Sequence, residues 1–554
     1  MATLNHLLIL FLLFPLISAE IYRVPSIVHM NNLALPKSFN HPEQWYSSIL
    51  QSIAATNSTS KPQLLHIYSH VIQGFSATLS PDYEYESLRK IHGFITVYSD
   101  QTASLHTTYT PKFLSLNNVS GIWPVSNYGD DIIVGIIDSG IWPESPSFRE
   151  DGMSPVPSRW KGKCDIFDLN SYALLCNRKL VGARSFNTKG IARDVNGHGT
   201  CTASIIAGNY VDHASFFGYA TGTSVGIAPR ARVAVYNVVG DALRASASDV
   251  LAGIDAAIVD AVDLILVPMG IIDILPLYED PFAIAAFSAN KRGIPVIFSA
   301  GNEGPYSYSV QNGFPWAVTV GAGSIDRQFG GKLTLGNGLV ILGVSLFPAS
   351  GLVVDLPLVY NETISVCNES LSLAGQIVIC NNTTEISSQM SNVDRSNVSG
   401  AVFISDNILF KEVGIFTFPG IMISSSDAQV LIDYVESNAD PRATIEFQHT
   451  FLGARGREPT VAAYSSRGPN NGLTNILKPD LIAPGTRVLG AWPETQPAAA
   501  IGIPSTYWGN LEYLAVFGLE LNLSSTFIIH SGMPLNCKSK NSRFIKSLWC
   551  TALA

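Results

Sequence analysis

The chain has 554 residues, too many for one ordinary core, so two to four domains are expected. Hydrophobic residues make up 47% and charged residues 14%, which excludes an intrinsically disordered chain. The net charge of −9 offers no basic footprint, so neither nucleic acid nor an anionic membrane surface is expected as a partner.

In chain order, the first feature is an apolar run over 7–14 followed by Ser18-Ala19-Glu20. The run is too short to span a bilayer, and small residues follow it where a signal peptidase would cut, so 1–19 reads as a signal peptide. The nearest later apolar window, 511–529, is interrupted by Glu520, Asn522, Ser524, Ser525 and Thr526, so the mature protein is expected to be soluble and secreted. Residues 22–105 hold two strand-like runs, 26–30 and 94–98, with a helix-like stretch carrying Glu84, Glu86, Leu88 and Lys90 between them, which predicts a small α+β unit. A threonine-rich joint follows at 105–111.

The pattern then changes. The run 131–138 is almost wholly apolar and ends in Asp138, as a strand buried on both faces does. Similar runs recur at 233–236, 264–267 and 294–298, with a helix-like segment at 247–262, which predicts a parallel α/β sheet. Functional groups of such sheets gather beyond the C-terminal strand ends. From about 335 to 455 short strands rich in Ser and Asn predict an inserted β-rich domain. The α/β pattern resumes over 461–492, and no element is assigned after that.

Seven cysteines in a secreted chain invite pairing, and two local pairs stand out, Cys164 with Cys176 and Cys367 with Cys380. The alternative is four buried thiols. Cys201, Cys537 and Cys550 have no assignment. Glycosylation sequons fall at Asn57, Asn118, Asn361, Asn368, Asn381, Asn382, Asn397 and Asn522, most densely over 361–399.

Three short islands carry the chemistry. In Ile136-Ile137-Asp138-Ser139-Gly140 a carboxylate at the tip of a buried strand needs a partner, although alone it could simply cap a turn. In Asn196-Gly197-His198-Gly199-Thr200 the glycines let other side chains approach a histidine suited to general-base work near neutral pH; alone it could be a loop histidine. In Ser299-Ala300-Gly301-Asn302-Glu303-Gly304-Pro305 an asparagine held in a turn after a strand can aim its amide at a developing oxyanion.

Together, in the order Asp, His, Asn, these islands resemble the subtilases, and the plant extracellular branch fits best. Tyr128-Gly129-Asp130-Asp131, Gly140-Ile141-Trp142-Pro143-Glu144-Ser145, Leu175-Cys176-Asn177-Arg178-Lys179-Leu180, Tyr464-Ser465-Ser466-Arg467-Gly468-Pro469 and the run from Leu477 to Gly485 look like that family too. The resemblance covers about 22–502. It implies a subtilisin-like parallel sheet flanked by helices, an inhibitory prodomain at 22–106 cut off near His106-Thr107, a catalytic domain at 107–334 and 456–502, and a protease-associated insert at 335–455. It implies Asp138, His198 and Asn302 as catalytic residues, a peptide or protein substrate, the prodomain as an intramolecular inhibitor, and no cofactor or metal.

The match fails where the nucleophile belongs. The family takes its serine from Gly-Thr-Ser-Met-Ala, and 486–554 contains no Gly-Thr-Ser. The nearest string, His530-Ser531-Gly532-Met533-Pro534, puts Pro534 at the nucleophile's place, and Ser531 would stand three positions early. The resemblance is thus to a C-terminally truncated member with a divergent tail at 503–554. The alternatives are a pseudoprotease that binds peptides or protein partners without cutting, and a product that fails to fold. Cys201 stands where the family usually has a second histidine, and Pro268 in the strand that normally pairs with substrate backbone.

Overall fold

The computed structural model describes residues 23–54, 61–68, 73–99, 109–167, 173–187, 189–240, 245–271, 275–348, 352–407, 416–453 and 459–496. The expected signal peptide, the tail at 503–554, Ser531, Asn57, Asn522, Cys537, Cys550 and the joint over 105–108 lie outside those residues. The chain divides into two compact units, Met1–Leu105 and His106–Ala554.

In the first unit, four antiparallel strands stand in the order Gln63–Tyr68, Gly74–Leu79, Val24–Met30, Phe94–Ser99. The sequence reading found the strands Val24–Met30 and Phe94–Ser99 and the short helix Glu84–Leu88, but not the helix Pro42–Ile53 or the strands Gln63–Tyr68 and Gly74–Leu79. That helix has Pro42 at its first turn, where a missing N–H is harmless. It buries Trp45, Tyr46, Ile49, Leu50 and Ile53, the spacing of one helical face, against Val28, Met30, Phe75 and Leu79. Each such side chain contributes roughly 1.5–3 kcal/mol when withdrawn from water. Glu84 is fully buried and is matched by Arg23, whose Nη2 lies 2.6 Å away, and by the Ser80 N–H at 2.6 Å.

The second unit is built on seven parallel strands in the order Leu481–Pro484, Val318–Gly323, Val296–Ser299, Leu264–Val267, Ile133–Asp138, Arg232–Asn237, Leu180–Ser185. The four apolar runs named from sequence are four of these strands, Ile133–Asp138, Arg232–Asn237, Leu264–Val267 and Val296–Ser299, and alternate residues serve opposite faces. Val134 and Ile136 pack with Ala203, Ile206 and Ala207 of the helix His198–Ala207. Ile133 and Ile137 pack with the helices Ala247–Val259 and Pro281–Lys291 on the other face. Those two helices start under side-chain caps, Ser246 to the Asp249 N–H and Asp280 to the N–H groups of Phe282 and Ala283. Both predicted disulfides form, Cys164–Cys176 and Cys367–Cys380.

The β-rich insertion is a closed barrel of seven strands, in which Arg327–Leu335 and Arg442–Leu452 pair antiparallel to complete the ring. A hairpin, Val211–Phe216 with Tyr219–Ser224, reaches it from the sheet. The Tyr219 hydroxyl donates to the Phe347 carbonyl at 3.2 Å, and Tyr219 and Ala220 share an apolar cluster with Phe329 and Leu346. Asn118, Asn361, Asn368, Asn382 and Asn397 are exposed, and Asn381 is half-buried. The expected resumption of α/β structure over 461–492 is reduced to the strand Leu481–Pro484; Pro469, Pro479 and Pro484 lack the N–H groups that helices need. Pro268 lies just past the end of its strand, so it removes no donor from the sheet. No helix among the described residues is long and apolar enough to cross a membrane.

Candidate active site

Asp138 ends the interior strand Ile133–Asp138, 1% exposed. His198 begins the helix that packs across that strand. The two residues meet with His198 Nδ1 2.6 Å from Asp138 Oδ1. An ionised carboxylate only accepts, so Nδ1 carries the proton and the basic lone pair of the neutral ring is at Nε2. Asp138 Oδ1 also accepts from the Ser139 N–H at 2.6 Å.

The glycines around the histidine have separate reasons. Gly197 precedes the helix with φ 112°, a left-handed conformation that few other residues adopt, and a Cβ there would lie 2.4 Å from the Trp492 ring. Gly199 is needed for approach, because a Cβ on it would stand 2.2 Å from the Gly140 carbonyl oxygen. Gly199→Ala is therefore expected to push the Asp138 loop off the helix, at a cost of about 1–3 kcal/mol in urea unfolding. An unchanged midpoint would mean that this contact does not hold the two loops together.

Asn302 sits in the turn after Val296–Ser299, half-buried, and its Oδ1 has no hydrogen-bond partner among the described residues. The turn is buttressed by the Tyr464-Ser465-Ser466 stretch: the Ser466 Oγ accepts from the Glu303 N–H at 3.1 Å, and the Tyr464 carbonyl from the Gly304 N–H at 2.8 Å. Since Val296–Ser299 is the second strand over from Ile133–Asp138 and parallel to it, Asn302 emerges at the same sheet edge, about 10 Å along from Asp138 by strand spacing. Beside Glu303 opens a cavity of about 260 Å³ lined by Ile271, Leu277, Ser309, Asn312, Phe314 and Leu473.

Sequence reasoning passed over Asp194, which is fully buried between Ser139 and the start of the histidine helix. Its position four residues before His198 was the available signal. The family motifs flanking the site also acquire roles. Glu144 grips Arg193 with both oxygens, at 2.7 and 2.8 Å, and Trp142 lies under the Arg193 guanidinium at 4.7 Å. Cys201 is buried among Ile205, Val488 and Trp492, and burial pushes its thiol well above its ordinary value.

The chain matches the subtilase family model over residues 129–522 and the peptidase inhibitor I9 model over residues 27–106. It belongs to the subtilase family. It is 44% identical to a subtilisin-like protease, SBT3, of Solanum lycopersicum, over 86% of this chain and 65% of that protein. It is 41% identical to the subtilisin-like protease SBT1.9 of Arabidopsis thaliana, over 85% of this chain and 66% of that protein. The chain thus spans about two thirds of the length of these relatives. The family match extends past residue 502, where the sequence reading placed the end of the resemblance.

Proposed function

We propose that the chain is built as a secreted subtilisin-type serine endopeptidase whose nucleophilic segment is missing. The observation that carries the reading is the buried pair formed by Asp138 and His198 at 2.6 Å. In the reaction such a pair serves, Asp138 orients the imidazole and stabilises its charged form. His198 Nε2 removes a proton from a serine hydroxyl, the serine attacks a peptide carbonyl, and the Asn302 amide holds the oxyanion. The cavity beside Glu303 can receive a substrate side chain.

The domain plan goes with this reading: a signal peptide at 1–19, an inhibitory prodomain at 22–106, a catalytic domain at 107–334 and 456–502, a protease-associated insert at 335–455 and a divergent tail at 503–554. The prodomain acts as an intramolecular inhibitor, an assignment supported by the I9 match at 27–106. One observation favours a second reading, a partner that binds without cutting: 486–554 offers no Gly-Thr-Ser.

A serine-directed fluorophosphonate probe tests both. The chain as written is expected to take no label. The same chain with 503–554 replaced by the Gly-Thr-Ser-Met-Ala segment of a relative is expected to label stoichiometrically. Label on the unaltered chain would overturn the missing nucleophile, and a folded but unlabelled hybrid would overturn the protease reading.

A further inference from the structure

We propose that Asp194 is the positioning residue of the Asp138–His198 pair, an inference that rests on the protease reading above. The two members of the pair come from segments 60 residues apart and meet at 2.6 Å. Apart from that bond itself, something must fix the strand tip against the helix, because catalytic geometry tolerates errors of only about half an ångström.

Asp194 is fully buried and forms no ion pair with a described cation; the adjacent Arg193 is turned to Glu144 instead. Five hydrogen bonds hold its charge. Oδ1 accepts from the Ser139 hydroxyl at 3.0 Å, the Asn196 N–H at 2.9 Å and the Gly197 N–H at 2.8 Å. Oδ2 accepts from the Thr200 N–H at 2.9 Å and the Thr200 hydroxyl at 2.6 Å. A buried carboxylate without a counter-ion persists only with such saturation, and the N-terminal N–H groups of a helix supply it with a favourable dipole.

The two hydroxyls make the arrangement a brace. Ser139 Oγ donates to Asp194 and accepts from the Gly199 N–H at 2.9 Å, so the residue after Asp138 is tied to the residue after His198. Thr200 Oγ1 donates to Asp194 and accepts from the Trp142 N–H at 3.0 Å, which ties the strand's exit loop to the same helical turn. Asp194 is the acceptor common to both ties. An asparagine at 194 keeps the shape but turns one oxygen into a donor. With its oxygen toward the three donors around Oδ1, its NH₂ faces the Thr200 N–H, and the helix start has to move.

The test is histidine-selective ¹⁵N NMR of the full chain, with the His198 nitrogens assigned by their disappearance in H198Q. The Nδ1–H tautomer is the readout, since a residue that only stabilises the fold would leave it alone. Wild type is expected to show that single tautomer, and D138N to lose it. D194N, folded by circular dichroism, is expected to lose it as well, giving a mixture. Retention of the single tautomer in folded D194N, while D138N loses it, would overturn the role of Asp194 and leave the pair intact. Retention in D138N too, or a mixture in wild type, would overturn the pair and Asp194's role with it. If D194N does not fold, S139A and T200V each remove one tie; loss of the single tautomer in either supports the brace, and retention in both overturns it.

Discussion

Replacing His198 with Ala in a chain supplied with the serine segment is expected to lower kcat by about 10⁶, the scale set by subtilisin itself, with KM little changed. The size follows from the proton inventory. With Nδ1–H given to Asp138, the ring has one basic position, Nε2, and the serine hydroxyl has no other activating base. Nucleophile and base act as a unit, so losing either forfeits nearly the whole gain. Asp138→Asn is expected to cost less, roughly 10⁴, because the base survives in the wrong tautomer. Asn302→Ala is expected to cost about 10²–10³, the worth of one oxyanion donor. Cys201, three residues further along the helix, cannot deputise as a nucleophile, since burial keeps its thiol protonated. Steady-state kinetics on a peptide amide would check the order. A His198→Ala variant within tenfold of its parent would remove His198 from the reaction.

What could be read from sequence, and what could not, divides by the kind of partner each residue has. Asp138, His198 and Asn302 stood out because they interrupt apolar or glycine-rich runs, and strands buried on both faces leave continuous apolar signatures. Asp194 did not stand out, because three of its five donors are main-chain N–H groups, which any residue carries. Barrel closure was illegible for a related reason: Arg327–Leu335 and Arg442–Leu452 pair across more than a hundred residues, and neither run names its partner. The stretch over 461–492 misled because its apolar residues line one strand and the buttress under Asn302 rather than helices. Lys179 was visible only as a letter in a family motif; nothing local indicates that a lysine will be buried.

That lysine carries the second large expectation. Lys179→Met is expected to destabilise the protein by about 3–5 kcal/mol at neutral pH. Lys179 is fully buried just before the strand Leu180–Ser185, and its ammonium spends all three donors on main-chain carbonyls: Ala207 at 2.6 Å, Pro229 at 2.6 Å and Ala231 at 2.7 Å. Ala207 closes the histidine helix, where a cation is favoured, and Ala231 precedes the strand Arg232–Asn237. One side chain thus pins three elements around the site. Methionine has the length but no donors, and each orphaned carbonyl costs roughly 1–3 kcal/mol. Removing the ammonium also removes its own desolvation cost, which keeps the expected total below the sum of three such penalties. Burial, assisted by Arg232, pushes the ammonium down from 10.5 to about 7 in the folded protein. The unfolded chain therefore binds that proton more tightly, and wild-type stability falls as pH drops from about 10.5 towards 7. The variant lacks this dependence, so its deficit is expected to widen as pH rises from 7 to 9. Urea unfolding of both proteins at the two values measures it. A deficit that stayed constant from pH 7 to 9 would mean that the three carbonyls hold the ammonium charged against its burial, and an unchanged midpoint would mean that the helix and the two strands are held together without it.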